Sequence, residues 1–376
     1  MEFVKPGVVI DFMRYRRQFG ALSVFLAAAG LVSVFVPGPN YGIDFKGGTE
    51  IEVEFKKKID SGTLRAAIVS LGYKRPDVVR VEGTDNRYIL RVLEVSSLGS
   101  GQVGKMEKAL AKRLGEVKLE QFKVSPGGDK VSLRLSAEAD PKLIREALGE
   151  AGASVSEVVP FGRKGDNRYE ARLEGVADEL MRGLKQKLPD RTPDSALRVE
   201  WVGPKAGAKL RDSAIKSLLY AITFIMVYVA LRFDLRFAPG GIVALTHDVL
   251  ITIGIFVLFR KEVNLSTVAA LLTVVGYSVN DTIVVYDRIR ENLQRMRDAS
   301  FIQIINTSTS QTLSRSIVTS LTTLFSICAF FVWGTPIIRD IALALSIGIS
   351  IGTYSSIYIA APFTEWMDRR VFRKLV

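Results

Sequence analysis

The chain has one cysteine and one histidine among 376 residues. With Cys328 alone, no intrachain disulfide can form, so any folded region outside a membrane is held by its core. The long polar stretch from about Pro37 to Asp212 contains neither residue type. Zinc sites and thiol nucleophiles therefore have nothing to be built from there, and no metal site is expected. No Walker-type phosphate loop occurs, which excludes a P-loop ATPase. Gly99-Ser-Gly-Gln-Val-Gly104 matches a dinucleotide fingerprint in letters only. Its surroundings read as antiparallel rather than as a parallel crossover, so a plain loop is the better reading.

Long apolar runs are abundant. Mean hydropathy is +0.21, and the apolar residues gather into stretches of roughly 18–22, the length a helix needs to cross hydrocarbon. Six are expected, at about Gln18–Val36, Ala214–Leu231, Gly240–Phe259, Ser266–Tyr286, Arg315–Trp333 and Ile338–Ala361. In the first, Ala27-Ala-Ala29 imitates a signal-peptide cleavage site. The apolar run continues past it to Val36, so an uncleaved anchor is expected.

The net charge of +12 is mainly a topology signal. Arg14, Arg16 and Arg17 precede the first span. Arg232 and Arg236 separate the second from the third. Arg288, Arg290, Arg295 and Arg297 follow the fourth, and Arg369, Arg370, Arg373 and Lys374 follow the sixth. Six crossings put all four clusters on one side, the cytoplasm by the positive-inside rule. Arg260, Lys261 and Arg339 are the exceptions. No basic patch alternates with exposed aromatics, so nucleic acid is not an expected partner.

The polar stretch repeats itself at a spacing of about eighty residues. In each half, glycine pairs (Gly47-Gly48, Gly127-Gly128) lead into an alternating strand (Ile51–Phe55, Val131–Leu135). A helix follows, opened by Asp60 or Asp140, then two strands, a second helix and a last strand. Asp85-Asn-Arg-Tyr-Ile-Leu-Arg91 corresponds to Asp166-Asn-Arg-Tyr-Glu-Ala-Arg172. That order is the ferredoxin-like one, which predicts two tandem α+β modules, 37–125 and 126–212. One larger mixed domain is the plainer alternative.

Asn280-Asp281 lies inside the fourth apolar run. A carboxylate at that depth costs at least a few kcal/mol and usually marks an ion or proton path. It can alternate between charged and neutral states as a proton passes. Thr273, Tyr277 and Ser278 fall at three- and four-residue spacings along the same helix. In the fifth span Arg315 stands before a hydroxyl stripe of Thr319, Thr322, Thr323 and Ser326. It is either a partner for Asp281 or an interfacial anchor. His247-Asp248 in the third span is either a proton relay or a packed structural pair. Ala344, Gly348, Gly352 and Ser356 recur every fourth position in the sixth span, which predicts close helix packing. Residues 298–311 are expected to lie on the cytoplasmic surface as an amphipathic segment.

Five motifs carry a family resemblance. They are Tyr41-Gly-Ile-Asp-Phe-Lys-Gly-Gly-Thr49, Val202-Gly-Pro-Lys-Ala-Gly207, Ala244-Leu-Thr-His-Asp-Val249, Val275–Asn292 around Asn280-Asp281, and Thr312-Leu-Ser-Arg-Ser-Ile-Val-Thr-Ser320. In them the sequence resembles the SecF family, within the resistance–nodulation–division (RND) superfamily. The resemblance implies a membrane unit shared with SecD beside the SecYEG channel, using the proton gradient to draw unfolded preproteins outward after the SecA ATPase. It implies proton-path roles for Asp281 and Arg315, with Asn280, Asp248 and His247 beside them. Gly42, Asp44, Gly47, Gly48, Gly203 and Pro204 are the family motif residues near the membrane.

The expectation is a polytopic α-helical membrane protein with six transmembrane helices and an α+β periplasmic region. Residues 1–36 form the N-tail and first span, and 213–376 the remaining spans and C-tail. It sits in the bacterial inner membrane with both termini cytoplasmic, binds lipid and uses protons but no cofactor. No covalent chemistry is implied, so no enzyme is expected. A half-size exporter of small molecules or lipids from the same superfamily is the alternative, and a passive scaffold the third reading. Family members usually carry one external module, where this chain predicts two.

Overall fold

The computed structural model describes residues 8–372 apart from 82, 97, 99, 100, 164, 194 and 234. Gly99 and Ser100 of the glycine-rich loop, and Arg373 and Lys374 of the last basic cluster, lie outside the described residues. In chain order the elements are α1 (Arg16–Phe35), β1 (Asn40–Tyr41), α2 (Ile43–Lys46), β2 (Gly48–Glu54), α3 (Ser61–Ser70), β3 (Asp77–Arg80) and β4 (Arg87–Val92). Then come α4 (Gln102–Arg113), β5 (Leu119–Val124), β6 (Lys130–Leu135), α5 (Pro141–Glu150), β7 (Val155–Pro160), β8 (Arg168–Leu173), α6 (Val176–Lys187) and β9 (Arg198–Val202). The long helices follow: α7 (Pro204–Arg232), α8 (Ala238–Leu258), β10 (Glu262–Val263), α9 (Leu265–Arg295), α10 (Phe301–Trp333) and α11 (Pro336–Ser355). A wider π turn, Ser356–Ala360, joins α11 to α12 (Ala361–Met367). The chain divides at Gly42/Ile43 and Arg211/Asp212 into a helical unit and an α+β unit.

The α+β unit contains two four-stranded antiparallel sheets, ordered β3-β4-β2-β9 and β5-β6-β8-β7. Each has the strand order and two packed helices of a ferredoxin-like module. The division between them differs from the tandem boundary expected at 125/126. β9, from the second repeat, closes the first sheet by pairing Gly48 with Val202 through Glu52 with Arg198. β5, from the first repeat, pairs with β6 instead. The helices follow their strands. Val176, Leu180 and Leu184 of α6 are buried with Ile51, Leu64 and Leu90. Met106 and Leu110 of α4 are buried with Leu133, Ile144 and Ala171. Residues 102–173 thus form one complete module inserted between β4 and α6 of the other. The reason is local. Ser125-Pro-Gly-Gly-Asp129 joins β5 to β6 through a short hairpin, closed by Ser125 N–H to Lys130 O (2.9 Å) with Gly128 at φ +67. Such a loop makes the sequence-adjacent pairing the easy one.

The matching Asp-Asn-Arg-Tyr segments have one physical role in both modules. Tyr88 is fully buried, and its hydroxyl accepts from Ile59 N–H (3.3 Å). Tyr169 hydroxyl accepts from Ala139 N–H (2.9 Å). Each ring pins the residue just before an aspartate cap. Asp60 accepts from Thr63 N–H and Asp140 from Lys142 N–H, as N-cap side chains do.

Among the described residues, six helices are long and apolar enough to cross a membrane. One expectation changes. Residues 298–311 are not a separate surface helix, because α10 runs unbroken from Phe301 to Trp333 with neither Gly nor Pro inside it. Ser300 caps it through Gln303 N–H. Phe301, Ile304 and Ile305 are buried against Met13, Phe237 and Ile289. Asn306 also holds the chain before α1, accepting from Met13 N–H (3.0 Å) and donating to Asp11 (2.8 Å).

Small residues set the helix spacing. A Cβ on Gly254 would lie 2.6 Å from Gly30 Cα, so α1 and α8 cross backbone to backbone there. Along α11, Ala344 packs with Ala270. Cβ atoms on Gly348 and Gly352 would meet Val274 Cγ2 at 2.2 Å and Ser278 Cβ at 2.9 Å. The expected stripe is therefore the seam between α9 and α11. Ser356, its last member, begins the π turn and donates to Thr353 O.

Candidate functional site: two buried acids in the helical unit

Asp281 is buried in the seam. Thr353 of α11 donates to its carboxylate (3.2 Å). Ser316 and Ser320 of α10 lie near the same carboxylate. Ser320 Oγ is 2.6 Å from Thr353 Oγ1. Two helices, α10 and α11, thus bring hydroxyls to the acid on α9, and hydroxyls can hydrogen-bond both its charged and its neutral form. Arg315 itself is exposed on α10.

The second acid, Asp248, is 1% exposed. Ser278 (2.6 Å) and Ser355 (2.8 Å) donate to its Oδ2. His247 Nδ1 lies 2.9 Å from its Oδ1. The His247 ring stacks on Tyr354 at 6.3 Å. Tyr354 hydroxyl bonds to Phe19 O (2.9 Å) and Ser23 Oγ (2.8 Å) of α1.

The polar residues marked in the sequence divide three ways. Ser278 belongs to Asp248 rather than to Asp281. Tyr277 hydroxyl meets Thr323 Oγ1 at 3.2 Å. Thr273 bonds its own helix at Ala269 O, and Thr319, Thr322, Thr323 and Ser326 do the same on α10. Thr273 and Asn280 are exposed, whereas Asp281 is buried. Ser316, Ser320, Thr353 and Ser355 were not marked. The four-residue step from Ser316 to Ser320, on the face of α10 adjoining Asp281, was the available signal.

The remaining motif residues hold the chain where it enters and leaves the α+β unit. Asn40 and Tyr41 pair in parallel with Glu262 and Val263. Gly42 N–H donates to Val263 O (3.0 Å), and a Cβ on Gly42 would collide with Glu262. Gly47 has φ +78, and a Cβ there would lie 2.8 Å from Pro204 Cα. A Cβ on Gly48 would lie 2.5 Å from Val92 O, and one on Gly207 3.2 Å from Asp44 O. So α2 and the start of α7 lock together through glycines. Gly203 has open space around it and starts α7 by accepting from Gly207 N–H. Gly47→Ala should therefore destabilise the chain by about 1–3 kcal/mol. Gly203→Ala should stay within about 0.5 kcal/mol. Thermal unfolding midpoints of the two variants check this.

Among the described residues no group of three or more His, Cys, Asp or Glu side chains is placed to hold a metal.

Two family profiles match. One, described as protein export membrane protein SecD/SecF, C-terminal, covers residues 185–370, and the SecD/SecF GG motif covers residues 32–59. The chain is 36% identical over 386 residues to the protein translocase subunit SecF of Koribacter versatilis, covering 96% of this chain and 93% of that one. It is 33% identical over 365 residues to that of Pseudomonas aeruginosa, covering 97% and 93%. The crystal structure of SecDF, a translocon-associated membrane protein from Thermus thermophilus, superposes with a TM-score of 0.67 at 30% identity. The match covers 98% of this chain and 40% of that one, so the chain spans about two-fifths of that structure's length. The relatives do not favour the exporter alternative. The chain belongs to the SecF family of protein-translocase subunits.

Proposed function

We propose that this subunit couples proton movement through its helical unit to the export of unfolded proteins, together with a SecD-type partner and the SecYEG channel. It sits in the bacterial inner membrane with both termini in the cytoplasm and the α+β unit in the periplasm. The observation that carries this reading is Asp281. It is a carboxylate of α9 buried in a helix seam, with hydroxyls from α10 and α11 beside it. Gaining or losing a proton there changes which hydroxyls donate and which accept, and so changes how α9, α10 and α11 fit together. Its role is proton carriage rather than covalent catalysis.

Polar residues on the surface of α9 and α10 support a membrane partner. Thr273 and Asn280 on α9, and Arg315, Thr322 and Ser326 on α10, are exposed on the single chain. Hydrocarbon is a poor neighbour for Arg and Asn. A second membrane subunit presenting polar groups suits this face, and transporters of this kind are completed by a second, pseudo-equivalent half.

Asp281→Asn removes the titrating group and keeps the shape. Inverted membrane vesicles carrying the full complex with this variant are expected to export at the rate of vesicles lacking the chain, with proton flux lost. Arg315→Met is expected to give the same loss with normal assembly. Wild-type export and flux from Asp281→Asn would overturn the proposal.

A further inference from the structure

We infer that the His247–Asp248 pair is a second proton-holding site of this protein, and that Nε2 of His247 is the atom that takes the proton. The inference rests on the proton-coupled reading above and extends it to a group that reading does not use.

Asp248 has three hydrogen-bonding neighbours, two serine hydroxyls on Oδ2 and the imidazole on Oδ1. A carboxylate held this way accepts from Nδ1–H. That fixes the tautomer and leaves Nε2 with its lone pair. Nε2 is buried and has no hydrogen-bond partner among the described residues, while His247 as a whole is 5% exposed. An unsatisfied polar atom in a protein interior costs about 1–3 kcal/mol. Here it is the one position at which the ring can gain a proton while Asp248 steadies the resulting imidazolium.

The neighbourhood suits a relay. On α11, Tyr354 stacks on the ring, with Tyr358 beyond it at 5.3 Å. From α1 come Phe19 and Ser23, both through Tyr354. The contribution of α7 to α8 is apolar, from Leu218, Ile222 and Ile225. From α9 comes Ser278, three residues before Asp281. Ser355, which serves Asp248, is two residues after Thr353, which serves Asp281. Thus α11 contacts both acids, and α9 carries Asp281 while contacting Asp248 through Ser278, next to the π turn that begins at Ser356. Interruptions of this type are frequent at functional sites.

The single histidine makes the test direct. The full chain, labelled with 15N-histidine and placed in phospholipid bilayers, gives one pair of imidazole nitrogen signals. The expected result is that Nδ1 stays protonated throughout while Nε2 gains a proton as pH is lowered from about 9 to about 5. Asp248→Asn should replace the single tautomer by a mixture. A wild-type Nε2 that keeps one protonation state over that range overturns the inference, and this measurement needs no substitution. Loss of export from Asp281→Asn with an unchanging His247 leaves the coupling reading standing and removes this one. A titrating His247 with full export from Asp281→Asn does the reverse.

Discussion

A fragment of residues 102–173 is expected to fold by itself, and a fragment of residues 43–125 is not. The first contains every strand and helix of the inserted module. Its buried residues Met106, Leu110, Val131, Leu133, Ile144, Leu148, Tyr169 and Leu173 all lie within it. The second ends at the repeat boundary that the sequence suggests. It contains β5 without its partner β6, and β2 without β9. It also lacks Val176, Leu180, Met181 and Leu184, which fill the core beneath β2 and β4. A domain of this size has only a few kcal/mol of stability in total. Losing one of two helices and an edge strand removes the folded state rather than weakening it. Urea unfolding followed by circular dichroism should give a cooperative transition for 102–173 and a featureless slope for 43–125. A cooperative transition from 43–125 would mean that each repeat can close on its own α–β pair.

The second large effect is expected at Gly348. An alanine Cβ there would lie 2.2 Å from Val274 Cγ2 and 2.4 Å from Cγ1. Neither is the end of a long, flexible side chain, so α9 and α11 must separate. Overpacking of this kind costs about 1–3 kcal/mol, and Gly348→Leu should exceed Gly348→Ala. The separation also opens the seam one turn further on, where Gly352 meets Ser278 and Thr353 meets Asp281. Export should therefore fall together with the unfolding temperature. Val274→Ala removes both colliding methyls, though not Val274 Cβ at 2.9 Å, and should rescue part of the Gly348→Ala loss, with a coupling energy of about 0.5–3 kcal/mol between the pair. Gly276→Ala is the control. Nothing lies within 4 Å of a Cβ there, so it should be neutral or slightly stabilising. Equal losses from Gly276→Ala and Gly348→Ala would rule out the seam as the cause.

The sequence made the helical unit legible because hydrocarbon demands long apolar runs. It also exposed Asp281 and Asp248, since acids are rare in such runs. Their partners were hidden for a physical reason. A serine or threonine inside a helix can satisfy its hydroxyl on the carbonyl one turn back. Thr319, Thr322 and Thr323 do this, whereas Ser320 reaches across to Thr353, which serves Asp281. Nothing in the letters separates the two groups until the helix is placed against its neighbours. Ser278 likewise turned from one acid to the other because Gly352 brings α11 close on its side of α9.

The duplication was legible through residues with a fixed local task, such as Tyr88 and Tyr169 before their aspartate caps. Which strand closes which sheet was not, because β2 and β6 present nearly the same alternation to any incoming edge. The informative letters were Pro126-Gly127-Gly128-Asp129. Read as a tight hairpin turn, they pair β5 with β6 and leave β2 waiting for β9.

That arrangement sets an order in which the strands are synthesised. The inserted module is complete once β8 has been synthesised, while β2, β3 and β4 have already emerged with one edge unpaired. Roughly one hundred residues separate β4 from β9, which is about 5–20 s of elongation. The strand that ends this interval runs on, after Gly203, into α7. The strand that closes the sheet and the second membrane helix are therefore synthesised one directly after the other.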